Sequence, residues 1–220
     1  MGRRPPPDRS RHPLRRLWAL RPWRAPGLGR PVAETRFVVL DTETTGLHPY
    51  GGDEVVAIAA LELVGLRPTG REWGSLVNPG RPIPPEATAL HGLTDADVAG
   101  APPLEALLDA FLEFLGGAVL VGHHTAFDLR FLNRARRRRR EPPLANAVID
   151  TMLLYLAASG RLGHYSLEEV AAACGVAVED RHSARGDART AARLFVRLAP
   201  RLVALDRPLR ALLAAQRGLG

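Results

Sequence analysis

The chain has 220 residues and a formal net charge of +7, a length that fits one ordinary domain with tails. Its apolar runs are shorter than the ~18 residues that a membrane span needs, and its first residues lack the apolar stretch of a secretory signal. A single cysteine, Cys174, excludes an internal disulfide and a cysteine-rich zinc site, so we expect a cytoplasmic protein without a membrane span.

The positive charge is concentrated in two places. Residues 1–30 contain nine Arg and one acid, Asp8, so the rest of the chain is close to neutral. We predict that residues 1–33 form a disordered basic tail rich in Pro and Arg. This tail is open to three interpretations: a solvated segment, an electrostatic arm for nucleic acid or another anionic surface, or a transit peptide. Seven Arg in residues 130–140 form a second arginine cluster, which is compatible with a phosphate contact or with a solvated turn.

The first predicted strand ends in two acids. Residues 37–40 form an uninterrupted apolar run, which is typical of a strand buried on both faces. Asp41 and Glu43 follow, and they point to the same side because side chains alternate along a strand. Two like charges at the end of a buried strand are costly unless a cation lies between them, and carboxylate oxygens favour Mg²⁺ or Mn²⁺. Two solvated acids at a strand end are the alternative interpretation.

The remaining elements are predicted in chain order. Two strands joined by a turn at residues 68–70 come next. The later elements alternate, with strands at 118–121 and 148–149 and helices at 86–90, 103–115, 125–139, 150–158, 166–174, 184–198 and 208–216. This order predicts an α/β fold with a mixed five-stranded sheet, in which a meander is followed by βαβ units and helices cover both faces. We expect the main domain at 34–200 and a C-terminal helical extension at 201–220.

Three further polar side chains stand at or near the starts of predicted helices. Asp128 lies in the first turn after the fourth strand, and Asp187 lies near the start of the last core helix. Each acid has a structural explanation by itself, because a helix dipole favours an acid there and Thr125 forms a capping-box pattern with Asp128. His182 precedes Asp187 by five residues, in a loop where a single histidine usually has no special role.

Taken together and in order, these positions resemble the DEDDh 3′→5′ exonucleases of the ribonuclease H-like fold. The matching segments are DTETTG, AFD and HSARGD, and the likeness runs from about residue 36 to residue 198. The segment VNPGRPIPPEATALHGLTDADV is similar to the proofreading epsilon subunit of bacterial DNA polymerase III and its relatives. A single Asp-x-Glu is weak evidence, whereas three ordered motifs with this intervening segment are specific.

The resemblance implies phosphodiester hydrolysis with two divalent metal ions, Mg²⁺ or Mn²⁺. Asp41, Glu43, Asp128 and Asp187 would hold these ions, whose charge four carboxylates offset. His182 would be the general base for the attacking water. Because an imidazole has an ordinary pKa of ~6.5, activity would then rise with pH through neutrality.

The resemblance also implies a wall around the terminal nucleotide, formed by Thr44, Leu47, His91 and Phe127, since apolar and aromatic groups replace lost base stacking. For His91 and Phe127, ordinary packing is an equally open explanation. The chain departs from the family at His124, where the family commonly has Asn.

Three function hypotheses follow. The first is a 3′→5′ exonuclease acting on single-stranded DNA, of the proofreading or repair type, with a DNA polymerase subunit as a candidate partner. The second is an RNA-trimming exoribonuclease of the same family, because no residue can be assigned to a 2′-hydroxyl contact. The third is a non-catalytic module that binds nucleic acid or a polymerase, which the five filled catalytic positions argue against. A histidine-based metal regulator is disfavoured because no His-x₃-His spacing occurs.

Overall fold

A mixed five-stranded sheet forms the centre of the fold. The computed structural model describes residues 27–217, so residues 1–26, most of the predicted tail, lie outside the described residues. The order across the sheet is β3-β2-β1-β4-β5; β1, β2 and β3 form an antiparallel meander, and β4 and β5 run parallel to β1. The predicted α/β fold is thereby confirmed. The strands are β1 (Arg36–Thr44), β2 (Val55–Val64), β3 (Arg67–Leu76), β4 (Val119–Gly122) and β5 (Val148–Asp150).

Helices cover both faces of the sheet, as predicted. Within residues 27–217, none of them is both long and apolar enough to cross a bilayer. A short 3₁₀ helix, Val32–Glu34, precedes β1. The α-helices are α1 (Pro85–His91), α2 (Asp95–Val98), α3 (Leu104–Leu115), α4 (Ala126–Arg138), α5 (Thr151–Ser159), α6 (Leu167–Cys174), α7 (Ala184–Leu202) and α8 (Leu209–Ala215).

Strand β1 is buried on both faces and therefore separates two cores. Phe37 and Val39 belong to the core shared with α5, α6, α7 and α8, whereas Val38 and Leu40 belong to the core shared with α3 and α4. Because side chains alternate along a strand, odd-numbered residues of β1 face α7 and even-numbered residues face α4. Whether a later residue of β1 has an odd or an even number therefore decides whether its side chain faces α7 or α4.

The predicted turn between the second and third strands is misplaced. The structure has the turn at Gly65, whose φ of +59° favours glycine because glycine has no Cβ that would clash. Strand β3 already begins at Arg67. Pro68 lies inside β3, paired with Leu63. Strand β3 is at the edge of the sheet, and proline is tolerated in edge strands.

Two helix predictions also need correction. Helix α7 continues through Pro200 to Leu202 and does not end at residue 198. Helix α2 (Asp95–Val98) was not predicted.

Much of the second arginine cluster is paired with acids. Arg138 contacts Glu54 at 2.6 Å and Glu105 at 3.0 Å, and Arg139 contacts Asp109 at 2.5 Å. These ion pairs neutralise part of the cluster within the fold, so it offers less charge to a phosphate backbone than its sequence indicates.

The segment after α7 packs into the domain. Leu209 and Leu212 of α8 are fully buried in the core beneath α7, and Pro31 forms an isolated antiparallel bridge with Pro208. The Gln216 side chain accepts from the Asp150 N–H at 3.1 Å and donates to the Val148 carbonyl at 2.7 Å. The end of α8 is thereby tied to the outer edge of β5.

Replacing Gly65 with alanine should destabilise the fold more than the same change at Gly70. Both glycines have positive φ, but a Cβ at Gly65 would lie 2.5 Å from the Ala33 carbonyl oxygen, while a Cβ at Gly70 would meet nothing within 4 Å. We expect Gly65→Ala to lower the free energy of unfolding by about 2–3 kcal/mol and Gly70→Ala by about 1 kcal/mol. Urea titration of both variants measures the difference, and equal losses would contradict this account of the turn.

Candidate active site

Three carboxylates from β1 and α7 meet at the end of the central strand. One oxygen each from Asp41, Glu43 and Asp187 lies within 4.8 Å of the other two. Asp41 and Glu43 are odd-numbered residues of β1 and so face α7, whose first turn carries Asp187. Glu43 and Asp187 expose only 8% and 3% of their surfaces. The fold therefore brings Asp41 and Glu43 of the strand together with Asp187 of the helix.

Asp128 approaches from the opposite face of the sheet. It is buried in the first turn of α4, and its Oδ1 accepts a hydrogen bond from the Thr42 hydroxyl at 2.6 Å. Thr42 is an even-numbered residue of β1, which explains its orientation towards α4. The alternative capping-box interpretation of Asp128 is not supported, because Thr125 makes no side-chain cap and its hydroxyl donates to the Ile149 carbonyl.

A fifth acid, Asp150, holds the turn that carries Asp128. Its carboxylate accepts from the N–H groups of His124 at 3.2 Å and Thr125 at 3.0 Å, and from Met152 at 2.9 Å. The turn between β4 and α4 is thus fixed by the end of β5. Sequence reasoning missed this role, although an aspartate between a strand and a helix is a recognisable N-cap signal.

Burial raises the pKa of all four predicted metal ligands, and repulsion from other predicted ligands adds to it for Asp41 and Glu43. Burial, followed by the charge of Asp187, raises the pKa of Glu43 to about 7, and burial likewise raises the pKa of Asp128 to about 7. Burial and then the charge of Asp128 raise the pKa of Asp41 well above its ordinary value. Burial also raises the pKa of Asp187. The cluster therefore resists full ionisation unless positive charge is nearby.

One positive charge is supplied by Arg181, which sequence reasoning missed. Its guanidinium forms an ion pair with Asp187, and its charge also opposes the upward shift of the pKa of Asp41 and Glu43. In a chain this rich in arginine, nothing in the sequence distinguishes Arg181 from its neighbours.

His182 borders a cavity that opens beside Glu43. The residue lies in the loop before α7 with a φ of +62°, a conformation that is uncommon outside glycine and is found at functional sites. The cavity has a volume of about 420 Å³ and also contacts His91. Residues of β2 and β3, among them Ala57, Ala59 and Gly74, also line it.

The predicted nucleotide wall is partly exposed and partly packed. Leu47 exposes 73% of its surface, and Thr44 is half-buried at the end of β1. The half-buried His91 accepts from the Leu93 N–H through Nδ1 at 3.1 Å, and Phe127 packs against the core beneath α3 and α4. Leu47 is thus free to contact a ligand, whereas His91 and Phe127 also have packing roles.

His124 belongs to a cluster of imidazoles. It has a φ of +55°, and its ring stacks on His164 with a centroid distance of 4.1 Å. The neighbouring His123 lies within hydrogen-bond distance of the Tyr165 carbonyl oxygen, at 3.0 Å, and burial lowers its pKa to about 4. His123 is therefore neutral near pH 7.

The carboxylate cluster fits a hard divalent cation. All its donors are oxygens, which Mg²⁺ and Mn²⁺ prefer. Among residues 27–217, no hydrogen-bond partner reaches the buried Oδ1 atom of Asp187, an unfavourable state that a cation would relieve. Asp41, Glu43 and Asp187 are near enough to share one ion.

The fold and the acidic cluster together define a class, the ribonuclease H-like exonuclease domains. This chain belongs to the exonuclease family, whose family model, RNase_T, matches residues 38–195. The resemblance to the exonucleases that was drawn from the three motifs is thereby confirmed.

Two relatives share this domain but are much longer. A DNA polymerase III subunit epsilon-like protein of Rhodobacter capsulatus is 45% identical over 181 residues, which is 79% of this chain and 25% of that protein. The PolC-type DNA polymerase III of Streptococcus pneumoniae is 34% identical over 164 residues, 74% of this chain and 11% of the relative. The chain therefore spans a quarter or less of the length of these relatives.

Solved exonucleases have the same fold. A structure of exonuclease I is similar with a TM-score of 0.66 at 19% identity, over 81% of this chain and 42% of that one. Exonuclease X, solved in complex with 5′-overhanging duplex DNA, is similar with a TM-score of 0.62 at 25% identity, over 80% of this chain and 99% of that one.

In EDTA, the protein should lose stability as the pH rises from about 6.5 to 8. Glu43 and Asp128 have a folded-state pKa of about 7, well above their unfolded values. The stability that their protonated forms contribute is complete below the unfolded pKa and is lost as the pH rises through 7. We expect Tm to fall by about 3–6 °C over this interval, as measured by calorimetry.

This pH interval lies above the range in which His123 changes the stability, because the pKa of His123 is lowered from 6.5 to about 4 on folding. The variant Glu43→Gln should show a shallower fall, and Mg²⁺ should restore stability at pH 8. A Tm that rises with pH across the interval in EDTA would contradict the raised pKa values.

Proposed function

We propose that this chain is a metal-dependent 3′→5′ exonuclease that removes nucleotides from single-stranded DNA ends, of the proofreading or repair type. The observation that carries the proposal is the convergence of Asp41, Glu43 and Asp187 within 4.8 Å, beside a cavity bordered by His182. Membership of the exonuclease family supports the reaction class. The DNA complex of exonuclease X and the epsilon-like relative support DNA as substrate and a polymerase subunit as partner.

In this proposal the four acids hold two divalent ions, Mg²⁺ or Mn²⁺. Asp41 and Glu43 contribute from β1, Asp187 from α7 and Asp128 from α4. When bound, the ions stabilise the charge that develops on the attacking and departing oxygens of the phosphate. The Thr42 hydroxyl fixes the orientation of Asp128. The proposed ligands thus come from both faces of the sheet, with Asp187 in α7 on one face and Asp128 in α4 on the other.

His182 acts as the general base. Its position in the loop before α7, on the wall of the cavity beside Glu43, suits proton transfer from a water that attacks the terminal phosphodiester. Only a neutral imidazole can accept that proton. As the water oxygen bonds to phosphorus, the P–O3′ bond breaks, a nucleoside 5′-monophosphate is released, and the departing 3′-oxygen is protonated as His182 returns its proton to solvent.

The terminal nucleotide is held by the segment after β1. Leu47 supplies an exposed apolar surface for the base, and Thr44 lies at the end of the strand that carries the acids. His91 borders the same cavity as Glu43, and Phe127 precedes Asp128 by one residue. An unstacked terminal base gains replacement contacts from such apolar and aromatic groups.

The first experiment follows 5′-labelled single-stranded DNA and RNA of the same sequence with Mg²⁺, Mn²⁺ or EDTA. We expect a ladder that shortens from the 3′ end, with DNA preferred, and no cleavage in EDTA. Asp128→Asn should lower the rate by about 100-fold or more, because a lost ligand forfeits several kcal/mol of charge stabilisation.

Asp109→Asn is the matched control, since the Asp109 side chain is 72% exposed and pairs with Arg139 away from the cluster. A ladder on RNA alone would replace the proposal with an exoribonuclease. Binding without cleavage of either polymer would indicate a non-catalytic module. A duplex with a 5′ overhang, run alongside, tests the preference for single strands.

His182→Ala should separate proton transfer from metal binding. We expect kcat to fall by about 10²- to 10⁴-fold, the usual contribution of a general base, while the stabilisation of the protein by Mg²⁺ is retained. Single-turnover cleavage and thermal unfolding measure the two effects. Full activity in His182→Ala would refute its role as the base, and a loss of Mg²⁺ stabilisation would indicate a structural role.

A further inference from the structure

Arg181 connects the acidic cluster to a second helix. Its guanidinium makes two ion pairs, from Nη1 to Asp187 Oδ2 and from Nε to Glu168 Oε1. Asp187 lies in the first turn of α7 and Glu168 in the first turn of α6. The N-terminus of α6 is itself fixed by a reciprocal capping box between Ser166 and Glu169. Arg181 thus links Asp187 to a rigid support outside the cluster.

The ion pair leaves the two oxygens of Asp187 in different states. Oδ2 is occupied by Arg181, whereas Oδ1 is buried and has no hydrogen-bond partner within the part of the chain that the structure describes. An oxygen of Asp187 lies within 4.8 Å of oxygens from Asp41 and Glu43. A carboxylate fixed through one oxygen in this way presents the other oxygen in a single orientation.

The backbone around Arg181 is also constrained. A Cβ at Gly186 would lie 2.2 Å from the Asp180 carbonyl oxygen, so the first turn of α7 packs directly on the segment before Arg181. The Ser183 hydroxyl donates to the Asp180 side chain at 2.7 Å, and the Ser183 oxygen accepts from the Gly186 N–H at 3.0 Å. The backbone on both sides of Arg181 is therefore held against the first turn of α7.

Charge alone would make an arginine unfavourable here, because a guanidinium beside the cluster repels divalent cations. Glu168 offsets that charge. Although burial opposes it, the hydrogen bond from Arg181 lowers the pKa of Glu168 to about 2, so this carboxylate is ionised near neutral pH. The pair of Arg181 and Glu168 adds orientation to the site without adding net charge.

We propose that Arg181, braced by Glu168, is a positioning residue that holds Asp187 with Oδ1 directed to the metal site. The inference rests on the metal binding in the proposed function. Partners of this kind, which orient a ligand without touching the metal, typically change metal affinity by about 10- to 100-fold.

The test measures binding of Mn²⁺ to the metal-stripped protein by calorimetry, without any nucleic acid. Arg181→Ala should weaken binding by about 10- to 100-fold. The titration is run at several pH values up to about 9, because removing Arg181 also removes a charge that opposes the raised pKa of Asp41 and Glu43. If Arg181 acted only through its charge, its removal would tighten binding once these carboxylates are ionised, whereas lost positioning weakens binding at every pH. Arg189→Ala is the matched control, because Arg189, which lies in α7, also pairs with two acids, Glu72 and Glu179, neither of which is a predicted metal ligand.

A second variant guards against misfolding of Arg181→Ala. Glu168→Gln removes the brace from a side chain that is 42% exposed and leaves the guanidinium charge uncompensated, so binding should weaken several-fold. The double variant should bind no more weakly than Arg181→Ala. Unchanged or tighter binding in either single variant overturns the inference.

The same titration separates this inference from the proposed function. A wild-type protein that binds Mn²⁺ and shortens DNA, together with an Arg181→Ala variant of unchanged affinity, overturns only the role of Arg181. A wild-type protein that binds neither Mn²⁺ nor Mg²⁺ overturns both. Circular dichroism in EDTA confirms that each variant is folded before it is titrated.

Discussion

The repulsion among buried carboxylates at the end of β1 is the constraint on which the site depends. Asp41, Glu43, Asp128 and Asp187 come from three elements, and each has a raised pKa because burial removes hydration from its charged form. A protein that needed only stability would not assemble such a group. The rigid surroundings, with two cores and helices on both faces of β1, hold the acids together against their repulsion.

The alternation of side chains along β1 explains how the acids are distributed. Odd-numbered residues face α7, so Asp41 and Glu43 meet Asp187, while Thr42 faces α4 and meets Asp128. Strand β4 pairs with β1 only as far as Val39 and Val121, so this pairing ends before Asp41. One strand thereby collects polar groups from both layers of helices.

Local pattern predicted much of this arrangement. The apolar run before Asp41 indicated a central strand, and the period of two indicated that Asp41 and Glu43 share a side. The turn at Gly65 was misjudged because Pro68 looks like a turn residue until its strand is known to be at the sheet edge. The roles of Arg181 and Asp150 were not predicted, because they depend on partners that are distant in sequence. Arg181 pairs with Glu168, and Asp150 bonds the β4–α4 turn. Such partners become visible only once the helices are packed.

The side-chain amide of Gln216 bonds the backbone at one edge of the sheet, strand β5. Its side chain bonds the Asp150 N–H and the Val148 carbonyl, two backbone groups that an added strand would otherwise bond. Gln216 therefore hinders the addition of another strand at the β5 edge of the sheet. Gln216 lies beyond the family match, which ends at residue 195. A fragment trimmed to that match would leave β5 open to self-association, and it would loosen Asp150, which anchors the turn leading to Asp128. A fragment that keeps these two hydrogen bonds must therefore extend at least to Gln216.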